Sequence, residues 1–411
     1  MNINNILKTY DQNNISIGVL GGHSALDVCA GAKKLGFKTV CVARKGREKT
    51  YAKHYKSREG KGCIDEVILV DNFSDIVKPE VQEQLRNLNT IFIHNRYFWT
   101  YCNFEEIEKD FHVPIFGSRE LLKLEERDVP NNQYYLLEKA GIRIPRMFDI
   151  PSLRYDVPKN ENTSSTTDEV DSRLRGNDKH LGGTLSFDEP TEKMEALTLT
   201  KVNNAVRTYE RENFVAMGWE NWRSIAEEKL NKGEIVLETL QKAVIEEFVL
   251  GAQINFNFFY SPLTKEVELM GTDMRRQTNL DGWLRLPANE QAKIHKQGIR
   301  PFHIETGHVA VTCKESLIEK AYTAAENFIK ACEKHAQPLI GPFALQGAIE
   351  TDGKQEELIV FDVSMRIPGS PGTAYTPYTN YLYGKNMSFG ERIAVEIKTA
   401  LAQDRLENLL S

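Results

Sequence analysis

The stretch SIGVLGGHSALDVCAGAKKLGFKTVCVAR, residues 16 to 44, decides the fold of the N-terminal part of the chain. SIGVL is short and apolar, which indicates a buried strand. ALDVCAGAKKLG has the pattern of an amphipathic helix, and FKTVCVA indicates the next strand. The order strand, helix, strand at this length is a βαβ unit, and such units build parallel sheets. The sequence therefore predicts a doubly wound α/β domain here.

The turn between the first strand and the helix is a candidate ligand site. In parallel sheets ligands bind where strands end, because backbone amides and the positive end of the helix dipole point outward there. Gly21 and Gly22 allow close backbone approach, and His23 and Ser24 add two polar side chains. A plain helix cap by Ser24 explains the local pattern equally well. The stretch lacks the G-x-G-x-x-G pattern, which argues against a dinucleotide-binding protein.

The composition excludes several classes of function. The chain has 411 residues, a net charge of −6 at pH 7 and a pI near 6.0, which argues against a general nucleic-acid binder. No apolar run approaches the roughly 20 residues of a membrane-spanning helix, and the first residues lack the pattern of a signal peptide. Six cysteines are scattered without a C-x-x-C pair, which favours reduced thiols. We therefore expect a cytoplasmic protein without nucleic-acid or membrane partners.

Three regions follow one another along the chain. Residues 1–125 alternate strand and helix signals and predict the N-terminal α/β substrate-binding domain. Residues 126–250 predict a smaller lobe. It is interrupted at about 155–196 by a segment rich in Ser, Thr, Asn, Asp and Gly, which we expect to be a disordered insertion without a function of its own. Residues 251–411 show mostly antiparallel strand patterns and a long loop before the helix SLIEKAYTAAENFIKACEKH, which predicts an α+β lobe.

Charged positions in the middle region are candidate nucleotide ligands. Lys201 ends the predicted strand LTLTKV and precedes a turn rich in arginine and glutamate, which includes Arg207. A lysine in this place can hold a phosphate as a point charge, although a solvated surface lysine is the simpler alternative. Glu246 and Glu247 follow in the segment EEFV. Because neighbouring strand residues point to opposite faces, only one of them readily faces a nucleotide pocket, and an edge-strand charge pair is the alternative.

Two further features lie in the C-terminal region. GPFALQGAIE and IVFDVSMRIPGS predict a hairpin that carries Gln346 and Asp362 on otherwise apolar strands, where polar groups usually have partners or bind something. An oxygen pair of this kind suits Mg²⁺ when nucleotide phosphates and water complete the shell. GTDMRRQTNLDG concentrates Arg275 and Arg276 at a strand end, which is typical of a phosphate site or of a salt-bridged loop. Together these features favour an enzyme that activates a substrate with ATP.

Taken together, the segments of the chain resemble a known family, the ATP-grasp ligases of the archaeal type that use free formate to formylate 5-aminoimidazole-4-carboxamide ribonucleotide (AICAR). The segments that carry the resemblance run in family order over nearly the whole chain outside the insertion. They include LGGHSALDVCAGAKKLGF, ARKGREKTY, VPIFGSRELL, AVRTYERENF, EEFVLG, FFYSPLTKEVELMGTDMRRQTNLDG, GPFALQ, VFDVSMRI and MSFGERIAVEIKTAL. The resemblance implies a three-part ATP-grasp fold with the nucleotide clamped between two α+β lobes.

The resemblance also implies a reaction and a set of site residues. ATP and formate would give formyl phosphate, which the 5-amino group of AICAR attacks, and the products would be the formamido ribonucleotide (FAICAR), ADP and phosphate in purine (IMP) biosynthesis. No residue would form a covalent intermediate. His23, Ser24, Tyr97 and Asn279 would contact AICAR. The ATP-binding residues would be Lys201, Arg207, Glu246, Glu247 and Val249. Gln346 and Asp362 would hold Mg²⁺ or Mn²⁺, and relatives suggest a homo-oligomer.

The chain departs from the family pattern at three positions. Tyr97 stands where a small hydroxyl residue contacts AICAR, and Gln346 stands where the metal ligand is commonly a glutamate. Ala374, in PGSPGTAY, replaces an amide. These departures leave two alternatives to the AICAR reaction, namely an ATP-grasp ligase that acts on a different ribonucleotide or amine, and a non-catalytic nucleotide-binding paralogue.

Overall fold

The computed structural model describes residues 3–127, 129–156, 183–188, 190, 193–202, 212–297, 299 and 303–411. Contacts within the chain define two compact units, one made of residues 1–143 and 251–411 and the other of residues 144–250. Each unit has its own sheets, and the two are described in turn. The division into three regions that the sequence suggests stays a prediction.

The elements are numbered in chain order. The strands are β1 (Ser16–Leu20), β2 (Lys38–Arg44), β3 (Glu66–Val70), β4 (Thr90–Ile93), β5 (Ile115–Phe116), β6 (Met147–Phe148), β7 (Leu153–Asp156), β8 (Thr184–Phe187), β9 (Leu197–Val202), β10 (Glu212–Met217), β11 (Val244–Glu247), β12 (Ala252–Ser261), β13 (Glu266–Thr278), β14 (His303–Val311), β15 (Gly341–Thr351) and β16 (Glu356–Ser364). The helices are α1 (Ile3–Leu7), α2 (Ala25–Lys34), α3 (Pro79–Asn87), α4 (Arg96–Tyr101), α5 (Phe104–Asp110), α6 (Gln133–Lys139), α7 (Gly218–Asn231), α8 (Leu237–Gln241), α9 (Leu280–Trp283), α10 (Ala288–Lys296), α11 (Glu315–His335), α12 (Tyr378–Tyr383) and α13 (Phe389–Ala402).

The first unit contains the predicted parallel sheet. Its strand order is β3-β2-β1-β4-β5, and every pairing is parallel. Successive residues of β1 contribute to different apolar clusters, Val19 to one and Leu20 to the other, so that both faces of the sheet are covered. This explains why SIGVL is apolar throughout rather than alternating. The prediction of a doubly wound α/β domain is confirmed.

A second sheet of the same unit is antiparallel, with the order β14-β13-β12-β15-β16. Its apolar face packs beneath α11: the ring centroids of Phe258 and Phe343 lie 5.4 Å apart, and those of Phe328 and Phe343 lie 6.2 Å apart. The predicted hairpin of Gln346 and Asp362 is confirmed, because β15 pairs with β16. The prediction of a long loop before α11 is partly wrong, because α9 and α10 lie within that segment.

The second unit contains a four-stranded sheet with the order β10-β9-β11-β6 and the two-stranded sheet β7-β8. Both strands of the latter touch or fall within the predicted disordered insertion at 155–196. They pair from Leu153 opposite Phe187 to Asp156 opposite Thr184, and Leu185 is buried in the core of this unit. The ends of the range are therefore ordered, which corrects the expected boundaries. Residues 157–182 lie outside the described residues.

The cysteines and the helices bear on the expectations of reduced thiols and of a protein without membrane partners. All six cysteines are free; five are buried and Cys313 is partly exposed. Burial raises the pKa of the Cys332 thiol to about 12, which suits a reduced packing residue rather than a reactive one. None of the helices described is long and apolar enough to cross a membrane.

Candidate active site

A pocket of the first unit opens at the point where the strand order of the parallel sheet reverses, between β1 and β4. In doubly wound sheets this is where ligands bind. The side chain of Asn95 joins the two strand ends: its Nδ2 donates to the carbonyl of Leu20 at 2.8 Å, and its Oδ1 accepts from the N–H of Tyr97 at 3.1 Å. His23, after β1, and Arg96, after β4, line the pocket.

The polar face of the antiparallel sheet forms the opposite side of the pocket. Because side chains alternate along a strand, Asn255 and Asn257 point away from the apolar face. Strand register places Asp273 and Gln346 on either side of Asn255, and Asp362 beyond Gln346. A row of polar side chains therefore crosses four strands. Buried polar rows of this kind need partners or a ligand to offset their desolvation.

Basic side chains dominate the pocket, namely His23, Arg96, Arg275, His308 and Arg366. Arg366 is only 4% exposed, and its Nε lies 3.4 Å from Glu125 Oε2, within ion-pair distance but not in hydrogen-bonding geometry. Within the described parts of the chain, neither the Nε of Arg366 nor that of Arg275 finds a hydrogen-bond acceptor. Guanidinium donors in this arrangement suit a phosphate or carboxylate ligand.

His23 is held in the pocket by the chain that follows β16. Ser24 Oγ donates to the carbonyl of Pro368 at 2.7 Å, and Gly369 lies against the imidazole. A Cβ at residue 369 would lie 1.7 Å from His23 Nε2, so the approach requires glycine. Burial, aided by the charges of Arg366 and Arg96, lowers the pKa of His23 to about 3. The side chain is therefore neutral at physiological pH and available for neutral hydrogen bonding.

Of the four predicted substrate contacts, only His23 lines this pocket, whereas Ser24, Tyr97 and Asn279 do not. The ring of Tyr97 packs over Gly22 and against Phe73 and Tyr101, with centroids 5.4 Å and 5.2 Å apart. Its neighbour Arg96 lines the pocket instead. Asn279 is the N-cap residue of α9, at the end of β13. The roles of Tyr97 and Asn279 stay predictions.

The predicted metal ligands are neighbours on the antiparallel sheet, and their role at a metal stays a prediction. Gln346 lies opposite Asp362 across β15 and β16, and its Nε2 donates to Ser364 Oγ at 2.8 Å. Asp362 Oδ1 accepts from Arg127 at 2.8 Å, and its Oδ2 lies 3.7 Å from Arg275. Two guanidinium groups thus compensate its charge. No cluster of three His, Cys, Asp or Glu side chains that could hold a metal occurs in the part of the chain that is described.

The predicted ATP ligands lie in the second unit. Lys201, on β9, forms an ion pair with Glu246, on β11, and both side chains are nearly inaccessible. Glu247 belongs to the other face of the strand, as the sequence predicts, and its N–H donates to the carbonyl of Arg146 at 2.8 Å. Lys201 is therefore not a solvated surface lysine. Val249 follows β11 and is half-buried, and Arg207 lies outside the described residues.

Sequence reasoning missed most of the pocket. The lining residues not recognised as candidates are Arg96, Asn255, Asn257, Asp273, His308, Ala344, Ser364, Arg366, Pro368 and Gly369. One signal was present, since INFNFF places two asparagines at alternate positions of a strand whose other positions are aromatic. Such alternation indicates one polar and one apolar face.

The chain is similar to known proteins in sequence and in fold. Two family models match the chain, one described as "Protein of unknown function (DUF1246)" over residues 17–148 and one as "Domain of unknown function (DUF1297)" over residues 221–411. A relative from Methanocaldococcus jannaschii, named 5-formaminoimidazole-4-carboxamide-1-(beta)-D-ribofuranosyl 5'-monophosphate synthetase, is 33% identical over 410 residues, which are 99% of this chain and 98% of the relative. A relative of the same name from Methanothermobacter thermautotrophicus is 33% identical over 99% of this chain and 97% of its own.

Solved structures show the fold. The crystal structure of an IMP biosynthesis protein PurP from Thermococcus kodakaraensis matches with a TM-score of 0.61 and 22% identity, over 96% of this chain and 100% of that chain. An L-amino acid ligase from Bacillus licheniformis matches with a TM-score of 0.52 and 12% identity, over 97% of this chain and 77% of that one. The predicted ATP-grasp fold is confirmed by these likenesses.

Proposed function

The chain belongs to the 5-formaminoimidazole-4-carboxamide ribonucleotide synthetase family, and from this premise we propose that it formylates AICAR with ATP and formate. The products are FAICAR, ADP and phosphate, in the biosynthesis of purine nucleotides. The observation that carries the proposal is the 33% identity that runs over 99% of the chain, so that the match spans the segments that contribute to the pocket.

The chemistry of the pocket supports this substrate class. A ribonucleotide brings a phosphate, and Arg96, Arg275 and Arg366 provide guanidinium donors for an anion. Neutral His23 can exchange hydrogen bonds with the uncharged parts of the ribonucleotide. Formate activated as formyl phosphate is also anionic. We assign no covalent step to the protein, since catalysis in this scheme rests on positioning and on compensation of phosphate charge.

Individual roles belong to the proposal as well. His23, Ser24, Tyr97 and Asn279 contact AICAR in this scheme, of which Ser24, Tyr97 and Asn279 would do so from outside the pocket lining. ATP is held by Lys201, Arg207, Glu246, Glu247 and Val249. Gln346 and Asp362 would hold the Mg²⁺ or Mn²⁺ that accompanies the nucleotide, and Asp362 would then exchange its ion pair with Arg127 for the metal. We further propose a cytoplasmic location and a homo-oligomer.

The decisive experiment measures ADP release with ATP, Mg²⁺, formate and AICAR, leaving out each component in turn. The proposal requires that release depend on all four and that FAICAR appear by mass. Release without dependence on AICAR or formate would point to a different amine or acid. ATP binding without turnover would identify a non-catalytic nucleotide-binding paralogue.

A matched pair of lysine variants tests the nucleotide site. Lys201→Ala should abolish turnover, whereas Lys232→Ala should not, because Lys232 is exposed and forms a surface ion pair with Glu228, four residues earlier. Unchanged turnover in Lys201→Ala would remove this residue from the ATP site.

A further inference from the structure

A histidine and an aspartate form a buried pair at the sheet side of the pocket. His308 Nδ1 lies 2.5 Å from Asp273 Oδ2, and the two side chains are 12% and 2% exposed. The carboxylate is itself fixed by two amides: Asn255 Nδ2 donates to Oδ2 at 3.1 Å, and Asn257 Nδ2 donates to Oδ1 at 2.6 Å. Both oxygens of Asp273 are therefore engaged, and the carboxylate has one orientation relative to the imidazole.

This arrangement sets the tautomer of His308. A carboxylate that accepts from Nδ1–H leaves the basic lone pair of the ring on Nε2 and stabilises the imidazolium that forms when Nε2 takes a proton. His308 also lines the pocket. It thus combines a defined tautomer, a compensating negative charge and access to the place where an anionic substrate binds.

The charged groups around His308 make Asp273 necessary. Arg275 lies directly opposite His308 on β13, and His23, Arg96 and Arg366 line the same pocket. Positive groups of this kind disfavour an imidazolium, and at His23 they add to burial, which is the larger cause of its lowered pKa. The short turn Pro371–Tyr375 packs against β14. Its one titratable residue is Tyr375, whose side chain is 84% exposed.

We propose that His308, positioned by Asp273, accepts the proton that the substrate amine loses during formyl transfer. The inference rests on the proposed function. The amine nitrogen forms a bond to the formyl carbon, the carbon–oxygen bond to phosphate breaks, and its electron pair leaves with the phosphate. The proton passes from nitrogen to His308 Nε2 and then to the released phosphate. Asp273 takes no part in bond formation and acts as a positioning residue.

The test compares His308→Gln with His112→Gln, an exposed histidine, in the four-component assay. General base catalysis contributes about 10²–10⁴-fold. We therefore expect kcat for FAICAR formation to fall by a factor of this order in His308→Gln, with KM for ATP unchanged and with loss of the acidic limb of the pH profile of kcat. His112→Gln should behave like the wild type. A His308→Gln variant that keeps wild-type kcat, or that keeps the acidic limb, overturns the proposal.

Two further variants separate a proton role from a structural one. In His308→Ala, added imidazole should restore part of the AICAR-dependent rate, and the absence of any rescue would contradict the inference. Asp273→Asn should decrease kcat by a larger factor than it changes KM, while the melting temperature of the protein stays within a few degrees of the wild-type value. An unchanged kcat would show that Asp273 has no positioning role. If the wild type forms no FAICAR from the four components, the proposed function fails. If the wild type forms FAICAR and the His308→Gln variant is equally active, only the role of His308 fails.

Discussion

The two sides of the pocket each contribute a histidine, and the surroundings of the two differ. His23 belongs to the turn after β1, where burial and the charges of Arg366 and Arg96 act on it. His308 belongs to the edge of the antiparallel sheet, where it contacts the carboxylate of Asp273. Both imidazoles face a pocket lined by arginines, and His308 has a carboxylate contact in addition.

The comparison indicates that the charged and buried surroundings of a histidine, rather than the residue type, determine whether it can transfer a proton. Burial and, after it, the neighbouring guanidinium groups keep the imidazole of His23 neutral, so that it can only exchange hydrogen bonds, whereas an imidazole that contacts a carboxylate can take up a proton. The turn therefore suits recognition and the sheet edge suits proton transfer. Three changes on the His23 side test this separation without touching His308.

The largest effect is expected from Gly369→Ala. The new Cβ would lie 1.7 Å from His23 Nε2, so the imidazole must move. A displacement of about 1 Å in a positioned group can cost roughly 100-fold, and we expect kcat/KM for AICAR to fall by about that factor. Gly372→Ala is the control, because the nearest atom to its Cβ is Ala310 Cβ at 4.0 Å. Equal kcat/KM values for the two variants would show that His23 has no positioning role.

A smaller effect concerns stability as a function of pH. The pKa of His23 is about 3 in the folded chain against an ordinary value of 6.5, so between these values the unfolded chain binds more protons. The free energy of unfolding therefore falls as the pH decreases from 6.5, by up to about 1.4 kcal/mol per pH unit for one such group. His23→Asn should make this fall shallower in urea titrations at pH 7, 6 and 5. Some fall remains, because burial also lowers the pKa of His94 to about 3.

An unaltered slope in His23→Asn would mean that His23 is accessible to protons in the folded chain, and the contrast with His308 would disappear. His112→Asn is the matched surface substitution, since this side chain is exposed. It should leave the slope of the wild type unchanged.

The smallest effect is expected at Ser24. Its φ of 66° is left-handed, and its hydroxyl donates to the carbonyl of Pro368. Ser24→Ala should lower the free energy of unfolding by about 1 kcal/mol for the lost hydrogen bond, and the left-handed backbone strain stays as in the wild type because both residues carry a Cβ. Ser24→Gly loses the same hydrogen bond but relieves about 1 kcal/mol of that strain, and it should be the more stable of the two variants in urea titrations. The reverse order would indicate that the turn rearranges around residue 24.

The sequence predicts the parallel sheet well and the pocket poorly, for physical reasons. Strands buried on both faces are apolar throughout, so β1 and β2 are visible within one short window. The polar row depends instead on register between strands far apart in the chain. Irregularities after Asn257 and after Gln346 shift that register, and no local pattern reveals them.

Single-residue orientation is harder still. Tyr97 was the predicted substrate contact and Arg96 lines the pocket, because the cap formed by Asn95 fixes how α4 begins. The pairing of His308 with Asp273 joins residues 35 positions apart and becomes visible only when β13 and β14 are placed side by side.

The two-faced antiparallel sheet has a consequence for protein engineering. Along β12, Phe256 and Phe258 are fully buried on the face that packs beneath α11, while Asn255 and Asn257 line the pocket. Ala344, on the neighbouring strand, also lines it. The apolar packing and the lining of the pocket thus occupy alternate positions of the same strands. If the pocket binds the amine as proposed, a combinatorial library restricted to the pocket-lining positions should change which amine is accepted while the aromatic packing that stabilises the sheet is left intact.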